Sequence, residues 1–144
     1  MQTQKSIRVR FGSRKILAAA FIFMLMGTAM ELYLLDHYED LQQLIPLVCI
    51  GVSILLMAAV SFRRTSLLTR GFMATLILTG LSGVYGTFLH LQANYEFEQE
   101  MKPGATARDW LVESFSGALP ALAPGSMIAL ALIGYSYVQL LNEK

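Results

Sequence analysis

Apolar positions in this chain are gathered into four long runs, at about 16–35, 44–62, 67–91 and 119–141, separated by short polar stretches. Each run is close to the ~20 residues that carry a helix across a hydrocarbon core about 30 Å thick. The first, ILAAAFIFMLMGTAMELYLL, holds no charge until Glu31. Lipid offers the backbone no hydrogen-bond partners, so such runs must be helical. The pattern predicts an all-α, polytopic membrane protein: a four-helix transmembrane bundle forming one domain over residues 1–144.

The connections carry different amounts of information. DHYEDLQQ is short and predicts antiparallel neighbours, and RRTS is a tight basic turn. The third connection, about 92–118, is the long one. Lys102-Pro103-Gly104 breaks the chain, since proline and glycine both end helices. Thr106-Ala-Arg-Asp109 then fits a capping box, followed by Trp110, Leu111, Phe115 and Leu119 at helical spacing. An amphipathic helix at the outer interface is expected, with Trp110 in the headgroup belt. A loop packed on the bundle is the alternative. YEFEQEM alternates as a strand would, but nothing pairs with it, so the third helix is expected to run on to about Met101.

Charge turns these spans into a topology. Lys5, Arg8, Arg10, Arg14, Lys15, Arg63, Arg64, Arg70 and Lys144 fall in the two tails, the second loop and the start of the third run. Asp36, Glu39, Asp40, Glu96, Glu98, Glu100, Asp109 and Glu113 fall in the first and third loops, as do both histidines at their edges. Basic loops stay in the cytoplasm. The expectation is a multi-pass protein of a bacterial inner membrane, both termini cytoplasmic and the acidic loops periplasmic. The net charge of +1 is the sum of two opposite faces. The basic face suits anionic lipid headgroups, and no nucleic-acid partner is needed to explain it.

Composition narrows the chemistry. Of 144 residues, 55% are hydrophobic and 15% charged, well below the charge fraction of a soluble domain. The single cysteine, Cys49, excludes an intramolecular disulfide and Cys-pair metal motifs, and reads as a small buried hydrophobe. The basic stretch before the first run resembles a signal peptide. The run is long for a signal core and no small-x-small cleavage site follows, so it is read as an uncleaved span. Methionines are scattered through the apolar runs and read as packing. No nucleophile–base pair, phosphate loop or CxxC exists, so an enzyme is the weaker reading.

Glu31 is the one carboxylate inside a span, about a turn from its outer end. Such a group is a functional-site candidate unless it snorkels to the interface. His37 and His90 close the first and third helices on the same side, with Glu39, Asp40, Asn94, Glu96 and Glu98 near the same surface. His90, Asn94 and Glu98 share a helix face at four-residue spacing. Imidazole with carboxylate is a ligand set for a divalent transition metal. The candidate ligands are therefore Glu31, His37, His90 and Glu98, with Asn94, Glu96, Glu39 and Tyr38 as supporting groups or alternative ligands. Joint ligation by Glu31 and His37, six residues apart, requires the first helix to loosen near Asp36. Tyr38 shares nearly the same face as Glu31 and is expected to hydrogen-bond it. Haem, held by His37 and His90 as axial ligands, is the lesser cofactor reading. The counterpart to all of these is a solvated acidic rim.

A stripe of Thr75, Thr79, Gly83, Gly86, His90 and Asn94 marks one face of the third run, as a close helix–helix seam requires. Pro46, Pro120 and Pro124 are expected to mark outer helix ends or a kink. Ala123-Pro124-Gly125 offers carbonyls to a cavity as a minor reading.

In architecture alone, four spans with a helix-one glutamate resemble the small multidrug resistance transporters. Their glutamate lies deep in the membrane, whereas Glu31 is near an end. HLQANYEFEQEM followed by GALPALAPG, with ELYLLDHYEDLQQLIP as a second patch, resembles a family of small four-span bacterial inner-membrane proteins with no assigned activity. That resemblance implies a topology only. Three functions stay open: a metal or haem site at the outer mouth, an accessory subunit or homo-oligomer within a larger membrane complex, and a proton-coupled transporter using Glu31.

Overall fold

The structure, a computed structural model, describes residues 2–142, with side chains for 12–142. The side chains of Lys5, Arg8 and Arg10, and residues Glu143 and Lys144, lie outside that description. The order is α1 (Gln2–Leu34), α2 (Leu41–Phe62), α3 (Ser66–Met101), α4 (Ala107–Ser114) and α5 (Gly125–Asn142). No strand occurs among the described residues. Four of these helices are long and apolar enough to cross a membrane, which makes the chain a small integral membrane protein. Only 17–28% of each apolar window is buried within the bundle, so most of that surface is left for lipid.

Two boundaries follow from local chemistry. The YEFEQEM segment is helical, because α3 continues unbroken to Met101. It stops where Pro103 forces Lys102 out of the helical region, at φ −131° and ψ 64°. The last span begins later than the apolar run: α5 starts at Gly125, and 121–124 form successive turns. Pro120 and Pro124 lack the N–H a helix needs there and restrict Leu119 and Ala123 before them. The turns close through Ala123 N–H to Pro120 O at 3.0 Å and Gly125 N–H to Leu122 O at 2.9 Å. Pro46 lies inside α2 and cannot donate to the Gln42 carbonyl one turn back.

α3 is the central element, packed on α5, α2 and α4, while α1 rests on α5 and touches α2 only lightly. The core joins Phe21 and Leu25 of α1 to Ile50 and Val60 of α2, Phe72 and Leu76 of α3, and Leu130 and Val138 of α5. Phe21 and Phe72 meet edge to face at 5.8 Å. With no hydrophobic drive between helices in lipid, close approach matters most. A Cβ on Gly134 would lie 2.5 Å from Leu76 Cδ2 and 2.7 Å from Phe21 Cε2. One on Gly83 would lie 2.7 Å from the Pro124 carbonyl oxygen. The small-residue stripe of α3 is therefore its seam with α5 and the turns before it.

The short α4 is held by its capping box: Asp109 N–H donates to Thr106 Oγ1 at 3.3 Å, and Thr106 N–H donates to Asp109 Oδ2 at 3.1 Å. The Thr106 hydroxyl, then its backbone N–H, holds the Asp109 carboxyl below the usual range. Trp110 Nε1–H donates to Lys102 O at 2.9 Å, and its ring meets Tyr95 edge to face at 6.1 Å. These contacts fold α4 back onto the end of α3.

Candidate functional site

The site begins where α1 ends. Asp36 takes the left-handed conformation, φ 51°. His37 N–H reaches back to Leu32 O at 2.9 Å and Asp36 N–H to Tyr33 O at 3.2 Å. These two bonds are a Schellman motif, with an aspartate where glycine is usual. The helix thus loosens at Asp36, and the reversal brings His37 and Glu31 to line one cavity. Tyr38 does not bond Glu31. Its hydroxyl donates to Asp36 Oδ1 at 2.7 Å and its ring stacks on Tyr33 at 5.9 Å. That hydrogen bond to a carboxylate raises the Tyr38 phenol above its ordinary range.

His90 comes from the far side of the same cavity, on α3. Its Nδ1 lies 3.1 Å from Pro120 O. A carbonyl can only accept, so Nδ1 carries the proton, and in the neutral ring Nε2 is left as the acceptor or ligand. The His37 and His90 rings are 6.4 Å apart, centroid to centroid, with planes at 69°. Half-burial, and then the like charge of His90, lower the His37 pKa from its usual value. Both causes favour the neutral ring, the form in which imidazole ligates metals.

The cavity encloses about 620 Å³ among all four long helices at the acidic end. Its charged, amide and imidazole side chains are Glu31, His37, Asp40, Gln42, Gln43 and His90. The other walls are mostly apolar, including Leu89 and Met127, with Thr28, Ser82, Tyr85 and Ser126 among them. Ser82 lies two turns of α3 below His90, so the cavity reaches about 12 Å inward. The 118–124 turns close one side, and Pro120, Ala123 and Pro124 all contribute to it. Their carbonyls are not free: Pro120 O accepts from Ala123 as well as His90, Ala123 O from Ser126 and Pro124 O from Met127.

The remaining sequence candidates lie elsewhere. Asn94 is 2% exposed and holds the loop: Nδ2 donates to Ser114 O at 2.8 Å and to Leu119 O at 2.7 Å. Its Oδ1 accepts from Leu119 N–H at 3.0 Å. Gly117 is tied to this clamp, since a Cβ there would lie 2.5 Å from Asn94 Cγ. Glu98 pairs with Lys102 at 3.2 Å, and Lys102 also pairs with Glu113. The two carboxylates raise the Lys102 pKa, and Lys102 lowers that of Glu113. Glu96 accepts from Gln92 Nε2 at 2.9 Å on the exposed side of α3. The Glu39 N–H donates to Gln43 Oε1 at 2.9 Å, closing the turn into α2.

Two histidines and Glu31 thus share a cavity, while Asn94, Glu96 and Glu98 are engaged outside it. Among the described residues, no group of three or more His, Cys, Asp or Glu is drawn close enough to hold a metal ion. Sequence reasoning missed the Pro120 carbonyl and the apolar depth of the cavity. The available signal was the pair of prolines, which forbade a helix and forced turns beside His90. Compared with protein-family models, curated proteins and solved structures, the chain matches none. The functional reading therefore rests on geometry.

Proposed function

We propose that this is a small inner-membrane protein, with both termini cytoplasmic, that binds a transition-metal centre in a cavity opening toward the periplasm. His37 and His90 are its ligands. Glu31 supplies the nearby negative charge, and Glu98 is left to its pair with Lys102. The observation that carries this reading is the convergence of both histidines of the chain, from separate helices, on one cavity. The His90 Nδ1 contact with Pro120 O supports it, because metal-bound histidines commonly donate their other N–H to a carbonyl.

Metal analysis of protein purified in detergent without chelator tests the reading. The expected result is near-stoichiometric metal, lost when His37 and His90 are both replaced by alanine. A double variant that folds equally well and keeps all its metal would sink it. The topology is tested separately, by a reporter that fluoresces only in the cytoplasm fused to either terminus. A dark fusion at either end contradicts it.

A further inference from the structure

The spacing of the two imidazoles constrains what lies between them. A metal–imidazole bond is about 2.0–2.1 Å, and the ring centroid lies roughly 1.1 Å beyond the nitrogen. Two imidazoles on opposite sides of one metal therefore have centroids about 6.3 Å apart, whereas tetrahedral ligation brings them to about 5 Å. The observed separation is 6.4 Å. That spacing matches ligation from opposite sides of one metal, which would leave the positions around its equator to other ligands.

The protein does not fill those positions, because no third histidine, cysteine, aspartate or glutamate joins the pair closely among the described residues. The volume points the same way. About 620 Å³ is far more than an ion needs, when a water molecule takes roughly 30 Å³, and it lies in the range of cavities that hold organic ligands. Its walls beyond the polar groups are largely apolar, as the faces of a planar macrocycle require. The Nδ1–H of His90 is already committed to Pro120 O, which leaves Nε2 as the ligating atom.

Resting on the metal-centre reading above, we infer that the centre is an iron porphyrin, with His37 and His90 as its two axial ligands. The porphyrin nitrogens supply the four ligands that the chain lacks, and the apolar depth of the cavity takes the ring. Glu31, in the same cavity, offsets the positive charge of a ferric core.

The test uses the full chain, expressed with a haem precursor and purified in detergent without imidazole or chelator. The protein should carry iron and the absorption bands of a six-coordinate, low-spin haem. Haem-free preparations should give the same spectrum on titration with haemin. His37→Ala and His90→Ala should each convert it to a five-coordinate, high-spin spectrum, and the double variant should lose at least tenfold in haemin affinity. Circular dichroism and elution volume report whether each variant is folded. A low-spin spectrum that survives either single substitution in folded protein overturns the assignment. Stoichiometric metal with no porphyrin bands, and none on haemin addition, overturns the assignment while the metal-centre reading stands. If neither metal nor haemin binds after supplementation, both fall.

Discussion

The two ends of the bundle use charge in opposite ways. At the basic end, arginines complete the fold: Arg14 Nε donates to Leu140 O at 2.7 Å, and Arg64 Nη1 lies 3.5 Å from Leu141 O. Both meet the carbonyls at the C-terminus of α5, where the helix dipole favours a cation. The turn there is short, and α3 starts from a plain cap, Leu68 N–H to Thr65 Oγ1 at 3.2 Å. A cavity of about 410 Å³ does lie beside Arg64 and Arg70, but Arg64 already meets the end of α5. At the acidic end Asp109 caps only the short α4, and among the described residues no charged side chain there meets the C-terminal carbonyls of a spanning helix as Arg14 does. Glu98 and Glu113 pair with Lys102, while Glu31, Asp40, two glutamines and two histidines line a larger cavity. Regular backbone with committed charge makes a foundation. Irregular backbone, held by a few side chains, makes a cavity.

That contrast can be broken from the acidic end first. Asn94→Ala removes three hydrogen bonds that hold 114–119 and should cost about 2–4 kcal/mol, read as thermal stability in detergent. An unchanged midpoint would mean that the turns stand by themselves. Gly83→Val drives a side chain into the Pro124 carbonyl oxygen, 2.7 Å from the would-be Cβ, and should cost about 2 kcal/mol. It should also open the wall beside His90, giving faster labelling of a cysteine placed at Ser126.

The basic end should be more forgiving. Arg14→Ala should cost about 1 kcal/mol, because the carbonyls at the end of α5 can turn to water or headgroups. A loss as large as that of Asn94→Ala would erase the distinction between the ends.

The smallest effect is electrostatic. The His37 pKa in the folded protein is lowered below its unfolded value of 6.5. Below that pH the unfolded chain binds the proton more readily, so stability falls as pH drops through 6.5 and levels off below the folded pKa. Metal-free wild-type protein should therefore melt at a lower temperature at acid pH, and His37→Gln should reduce that slope. An identical slope in the variant would remove His37 as its source.

The fold was more legible than the site, for reasons visible in particular residues. Continuous apolar runs specify membrane helices without reference to any neighbour, and Thr106 with Asp109 specifies the start of α4 locally. The Gly83 and Gly86 seam could be read from spacing alone. By contrast, His90, Asn94 and Glu98 share one face of α3 yet reach three different partners. His90 meets a proline carbonyl, Asn94 a loop and Glu98 a lysine. Four-residue spacing says which way a side chain leaves the helix. It does not say what waits there.

By itself, then, the sequence determined the helices, their number and the separation of charge between the two ends, because these depend on local hydropathy and on the backbone's need for hydrogen bonds. Tertiary structure alone decided that Asp36 turns His37 back to the cavity, that Pro120 meets His90, and that the two rings lie 6.4 Å apart. The last two come from bringing residues thirty or more positions apart within about 6 Å, and no local periodicity carries that information.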